Sequence, residues 1–133
     1  MKKFHLEVVT PDSSPFSGEA ERLLVRTTEG DAEILYGHID YLATIAEGRA
    51  KITSDGQARE AAVSGGFVSV ADNYVRLVVT TFEFSDEIDV KRAEEARKKA
   101  EILKKNAADA KEEAKAEAKL RRALSRLSVA SRK

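Results

Sequence analysis

The sequence predicts an α+β protein in two successive domains: an N-terminal antiparallel β-sandwich or barrel over residues 1–84 and a C-terminal antiparallel two-helix hairpin over residues 85–133. Three observations carry this. The first 84 residues run in short β-patterned stretches punctuated by turn-forming residues. No glycine or proline follows Gly66, and from Asp86 onward alanine, lysine, glutamate and arginine dominate. The charge divides at the same place, with 8 Lys+Arg against 13 Asp+Glu in residues 1–84 and 15 against 10 in residues 85–133. The overall net charge of zero is therefore a cancellation, and such asymmetry suggests an interaction surface.

Taken in order, Phe4-His5-Leu6-Glu7-Val8-Val9 reads as a strand that ends in the turn-rich Pro11-Asp12-Ser13-Ser14-Pro15. Glu21 to Thr27 is a second strand, stopped by Glu29-Gly30-Asp31. Tyr41 to Ala46 and Arg49 to Thr53 follow, with Ser54-Asp55-Gly56 as a hairpin turn, since Asp-Gly supplies the left-handed backbone that tight hairpins need. Arg59 to Ser64 and Phe67 to Ala71 flank Gly65-Gly66, which reads as another hairpin turn, and Asp72-Asn73 leads into Tyr74 to Phe84.

In the second half Asp89 is placed to cap a helix, its carboxylate accepting from the orphan amides of the first turn. Val90, Ala93, Ala96, Ala100 and Leu103 recur at three- and four-residue steps and trace one face. Asn106-Ala107-Ala108-Asp109 offers a helix–helix turn with Asp109 as a second cap, and Ala116, Leu120, Ala123, Leu127 and Ala130 trace the facing stripe. The seam is thin: at about 25 cal/mol per Å2 of buried apolar surface, alanine contributes far less than leucine. Such a hairpin should stand close to balance between closed and opened forms.

Several functions are disfavoured. There is no cysteine, hence no disulfide framework or thiolate chemistry, which fits a reducing cytoplasm. No stretch approaches the roughly 18 apolar residues of a membrane span, and the N-terminus lacks the apolar core of a signal peptide. His5 and His38 stand far apart with no cysteine beside them, so no metal set is expected. Neither a phosphate-binding G-x-x-x-x-G-K-[ST] loop nor a G-x-S-x-G elbow is present. The acid-free stretch after Glu117 carries Lys119, Arg121, Arg122, Arg126, Arg132 and Lys133, but residues 85–133 have no aromatic side chain for base stacking, so an acidic protein partner suits it better than nucleic acid.

The run Ile88-Asp89-Val90-Lys91-Arg92-Ala93 has a plain interpretation as a helix start. Arg122 and Arg126, however, are spaced i, i+4 and share a face. In a closed hairpin that face comes near Arg92, and three guanidiniums repel unless an anion sits among them. A triphosphate suits them, because arginine pairs bidentately with phosphate oxygens and the helix N-terminus adds its own partial positive charge. Asp89 then serves as a cap or as an acceptor for an adenine amino group.

With that I-D-x-x-R-A run, the chain resembles the epsilon subunit of bacterial F-type ATP synthases, of the ATP-binding type. Leu6-Glu7-Val8-Val9-Thr10-Pro11, Val25 to Asp31, Gly37-His38, Val63-Ser64-Gly65-Gly66-Phe67-Val68 and Arg126 to Ala130 carry the resemblance from end to end. It implies a β-sandwich docked on the gamma subunit and the c-subunit ring, at the cytoplasmic face of the cell membrane and peripheral to it. It implies a helix pair that binds ATP as a regulatory ligand when folded and, when extended, engages the catalytic alpha and beta subunits and blocks ATP hydrolysis. The chain is then a regulator and not an enzyme, and no sequence feature requires magnesium. By resemblance the ATP ligands map to Glu83, Ile88, Asp89, Arg92, Ala93, Lys99, Arg122 and Arg126, with Lys99 standing where ATP-binding members can carry arginine. The docking surface maps to Asp31, Glu33, Tyr36, His38 and Asp40. There the chain departs from the family: Glu33 replaces a glycine, and Tyr36 and Asp40 replace prolines. A variant form, natural or engineered, with altered docking and intact ATP sensing is expected. The alternative functions are a purely structural rotor coupler and a stand-alone ATP-sensing module.

Overall fold

The computed structural model describes residues 2–130. The chain forms two compact units, Met1–Phe84 and Ser85–Lys133. The first holds seven strands: β1 (Phe4–Val9), β2 (Phe16–Ala20), β3 (Arg22–Thr27), β4 (Gly30–Leu35), β5 (Tyr41–Ser54), β6 (Gln57–Ala71) and β7 (Tyr74–Phe84). They make one sheet in the order β2-β1-β7-β6-β5-β3-β4. Every pair is antiparallel except β1 with β7, which is parallel in the register His5–Tyr74 to Val9–Val78.

The predicted Asp55-Gly56 turn is present, with φ of 52° and 77°, values that match the right-handed twist of the flanking strands. Asp72-Asn73, at φ of 50° and 59°, makes the equivalent turn between β6 and β7. Gly65-Gly66 does not form a hairpin turn. It lies inside the continuous strand β6, just as Ala46 to Gly48 lie inside β5, so the stretches read as separate strands are halves of two long ones.

The long strands bend instead of reversing, and burial shows how. The inward residues are Ile45 but then Gly48, Ala50 and Ile52 on β5; Ala61 and Val63 but then Val68 and Val70 on β6; Val75, Leu77 and Val79 but then Phe82 and Phe84 on β7. Parity changes at the same level on three adjacent strands, because the sheet folds over there and opposite faces of the pleat meet one core. Gly65 (φ +65°) and Gly66 (φ +146°) supply the corner, and a Cβ on Gly66 would sit 1.9 Å from the Val78 carbonyl oxygen. No other residue fits there.

The core packs Phe4, Leu6 and Val8 of β1 against Leu23, Val25, Ile34, Val68, Leu77 and Phe82, among others. Polar links draw the β5–β6 tip against the start of the sheet. Glu21 donates its main-chain N–H to the Thr53 carbonyl at 2.8 Å, Ser54 Oγ donates to the Glu19 carbonyl at 2.9 Å, and the Gly56 N–H donates to Glu21 Oε1 at 2.9 Å. Lys3 Nζ donates to Asp55 Oδ1 at 2.6 Å, which holds the Asp55 carboxyl below its ordinary range.

The second unit begins with a 3-10 turn over Ser85–Glu87, followed by α1 (Val90–Lys105) and α2 (Ala110–Ala130), which pack on each other. No described helix is long and apolar enough to cross a membrane. Arg132 and Lys133 of the basic C-terminal stretch lie outside the described residues.

Candidate functional site

Asp89 caps α1: its Oδ1 accepts from the Arg92 N–H at 3.1 Å, while its carbonyl accepts from the Ala93 N–H at 3.0 Å. Asp109 caps α2 in the same way, accepting from the Glu112 N–H at 2.8 Å, and Glu112 Oε2 reaches back to the Ala108 N–H at 2.9 Å. Both caps stand where the sequence put them. Between them the Asn106 N–H closes α1 onto the Ile102 carbonyl.

The seam is made of alanine. Ala93 and Ala100 of α1 and Ala116, Ala123 and Ala130 of α2 are buried, each set repeating every seven residues. Leu120 and Leu127 are half-buried, while Val90 (48% exposed) and Leu103 (48%) lie at the rim of the predicted stripe. Counting outward from the turn sets Ala93 level with Ala123 and Ala100 level with Ala116.

That register places the predicted anion ligands. Arg92 and Arg122 each precede a seam alanine, and in antiparallel helices residues so placed lie on the same flank of the hairpin. Arg126, three residues past Ala123, lies on that flank closer to the seam and is half-buried; Arg92 and Arg122 are exposed. Lys99 precedes Ala100 and stands two turns further along. Ile88 is buried just before the cap, and Ala93 lies in the seam. Glu83 belongs to the other unit, half-buried on β7 opposite Ala62.

The opposite flank is ion-paired. Arg97 is bonded to Glu94 and to Glu101, the latter at 2.7 Å, and those carboxylates hold its guanidinium above its usual range. Lys104 of α1 bridges to Glu117 of α2 at 3.2 Å. The other flank carries Arg92, Lys99, Arg122 and Arg126 together with the carboxylates of Asp89, Glu95 and Glu112.

The docking residues all fall in the first unit. Asp31 and Glu33 lie on the outer face of β4, an edge strand, where Asp31 meets Arg26 at 3.4 Å and Glu33 meets Arg22 at 2.9 Å. Tyr36, His38 and Asp40 lie in the loop that follows. Lys2 Nζ sits 5.1 Å from the Tyr36 ring centre, His38 meets Tyr41 edge-on, and the Gly37 N–H donates to Asn73 Oδ1 at 2.6 Å. Asp40 is exposed. Sequence reasoning missed an apolar set on this unit: Ile39 is 77% exposed and Leu42 72%, with Phe67 and Tyr74 also on the surface. Leu42 and Phe67 share a face, since Thr44 pairs with Phe67. Their parity opposes that of the buried residues on their own side of the corner, Ile45 on β5 and Val68 and Val70 on β6, which is the signal that could have found them.

With this geometry in view, comparison with known proteins is decisive. Residues 3–85 match the family model for the ATP synthase delta/epsilon chain β-sandwich domain, and residues 86–131 match that for its long α-helix domain. The chain belongs to the ATP synthase epsilon-chain family. It is 44% identical to the ATP synthase epsilon chain of Ruminococcus albus over 100% of both chains. It is 41% identical to that of Caldanaerobacter subterraneus subsp. tengcongensis over 98% of this chain and 96% of the relative. Among solved structures, a chain of the Euglena gracilis mitochondrial ATP synthase aligns with a TM-score of 0.78 at 22% identity, over 90% of this chain and 76% of that one. A chain of the Tetrahymena thermophila mitochondrial ATP synthase central stalk and c-ring aligns at 0.61 and 17%, over 98% and 96%. At those identities the likeness is one of fold. The family's two-part architecture is the one described above.

Proposed function

We propose that this epsilon-family chain is the regulatory epsilon subunit of a bacterial proton-translocating F-type ATP synthase. In this reading the first unit docks on the gamma subunit and the c ring, and the complex holds the chain peripherally at the cytoplasmic face of the membrane. The helix pair responds to ATP. It closes when the nucleotide is held and extends toward the catalytic alpha and beta subunits, inhibiting hydrolysis, when it is not. The subunit regulates and performs no catalysis itself.

The observation that carries the nucleotide part is the cationic flank beside an alanine seam. Arg92, Arg122 and Arg126 fall on one flank within about one helical turn of each other, which suits the oxygens of a triphosphate. Ile88 and Asp89, at the start of α1, are the residues toward which the adenine lies, so the phosphates run along the flank toward Lys99. Because Asp89 already caps α1 through Oδ1, its first role is to hold the helix start in place. Ligation that favours the closed pair shifts the equilibrium by RT ln(1 + [L]/Kd), about 2.7 kcal/mol at a hundredfold excess. A seam of alanines can be switched by that amount.

Calorimetric titration of the full chain with ATP, with GTP as the selectivity control, tests this. Saturable, ATP-selective binding is expected, weakened in Arg92→Ala and Arg126→Ala while the β signal in circular dichroism is unchanged. Unaltered affinity in both variants would refute the arginine site. No binding at all would leave the structural rotor coupler, which the exposed apolar set around Leu42 and Phe67 supports independently of the helices.

A further inference from the structure

Asp55-Gly56 is the single Asp-Gly pair of the sequence, which has no Asn-Gly pair. An aspartate followed by glycine is open to attack by its own main chain. Glycine has no Cβ to keep its amide nitrogen away from the preceding carboxyl carbon. Water reaches the pair as well, since the Asp55 side chain is 79% exposed. Both groups that would react are nonetheless held. Lys3, from 52 residues upstream, donates Nζ to Asp55 Oδ1 at 2.6 Å. Glu21, 35 residues before Gly56, takes the Gly56 N–H on Oε1 at 2.9 Å.

The turn does not depend on these two contacts for its shape. Left-handed backbone at both central residues suits a two-residue hairpin turn by itself, and Ser54 and Gln57 pair across it. Lys3 and Glu21 come from distant parts of the chain and meet the carboxyl and the amide separately. The tip is braced from the same side by the Glu21 N–H on the Thr53 carbonyl and by Ser54 Oγ on the Glu19 carbonyl.

We propose that Asp55-Gly56 is a covalent modification site, where aspartate rearranges spontaneously to isoaspartate, and that Lys3 and Glu21 restrain the reaction. In the first step the Gly56 nitrogen bonds to Asp55 Cγ. Its proton goes to solvent, and the carboxyl oxygen leaves as water, which closes a five-membered succinimide. In the second step water adds to the ring. Breaking the bond from nitrogen to Cγ restores aspartate. Breaking the bond from nitrogen to the main-chain carbonyl carbon leaves the chain running through Cβ and Cγ. The water released is regained, and nothing is oxidised or reduced. Lys3 opposes the first step by keeping the carboxyl ionised, a poor leaving form. Glu21 opposes it by anchoring the N–H, so that the nitrogen cannot swing onto Cγ. The product carries one extra methylene in the main chain of a two-residue turn and so releases the tip from both partners.

The test ages the full chain at neutral pH and physiological temperature over several weeks. Trypsin then releases residues 52–59, a peptide with one aspartate, and reversed-phase separation resolves its isoaspartyl form at unchanged mass. The parent should rearrange more slowly than the free synthetic peptide of the same sequence. Loss of one polar contact at an exposed position should speed rearrangement on the order of fivefold in Lys3→Ala and in Glu21→Ala. Lys3→Arg and Glu21→Gln, which keep a donor and an acceptor, should stay near the parent rate, and urea midpoints check that each variant is folded. Rates in Lys3→Ala and Glu21→Ala equal to the parent's would overturn the restraint, as would a parent as fast as the free peptide. Slower rearrangement in Glu21→Ala would also overturn it, by making Glu21 the base that draws off the amide proton. Absence of isoaspartate from every folded variant would overturn the site itself.

Discussion

At the scale of single residues, Gly66 is the most constrained position described. Its φ lies in the region that side chains avoid, and the space a Cβ would need is occupied by the Val78 main chain of the neighbouring strand. Gly66→Ala must move β7 or break the ladder, so it should cost about 3 kcal/mol or more, read as a lowered urea midpoint of the β unit. An unchanged midpoint would show that the corner yields. Asp89 and Asp109 are constrained differently: their carboxylates are needed by amides that the helix leaves unpaired, and that need was legible from residue type and spacing alone. So was the Asp55-Gly56 turn. Gly65-Gly66 was misread because two glycines between β-prone runs signal a hairpin and a strand corner equally well. Only the Cβ clearance and the partner strands tell the two apart.

At the scale of elements, the helices were the easier part to read, since a seven-residue alanine repeat with caps leaves one arrangement for the seam. The strands were harder. β2, with Gly18 and Glu19 inside it, and β4, with Gly30, Asp31 and Glu33, are edge strands whose composition is that of turns. Edges tolerate such residues because one row of their main-chain groups faces solvent or side chains. The long strands β5 and β6 were divided in two because alternation breaks where parity changes. For the hairpin, the alanine seam makes a specific demand on volume. Ala116→Leu inserts three carbons where Ala100 approaches, and such overpacking costs about 1–3 kcal/mol. The loss should appear as an earlier helical transition at 222 nm, with the β unit's melt unmoved. A single unchanged transition would mean that the seam has room to spare.

For the whole molecule, the departures from the family pattern at Glu33, Tyr36 and Asp40 have local accommodations in two cases: Arg22 pairs with Glu33, and Lys2 lies over Tyr36. Asp40, between the highly exposed Ile39 and the start of β5, has none described and places a charge next to an apolar set. The ladder of β4 and the loop after it therefore fold as they stand, and the consequence belongs to assembly. In a pull-down against gamma, Glu33→Gly/Tyr36→Pro/Asp40→Pro should bind more strongly than the parent chain; equal capture would show that the altered loop does not affect docking. The candidate nucleotide site was legible as a set of cations and a cap. Its flank could not be assigned until the register between Ala93 and Ala123 fixed which side each arginine occupies.

The sheet corner also has a signature in time. The β5–β6 register skips Ala46 and Glu47 on β5 and Ser64 and Gly65 on β6, and the β6–β7 register skips Gly65 and Thr80, so an interruption in the ladder crosses three neighbouring strands in mid-sheet. In deuterium exchange the β unit should label in an unusual order. Besides the strand ends, a narrow transverse band would take up label early, with slow amides on both sides of it. The unit would then breathe along a crease as well as fray from its edges.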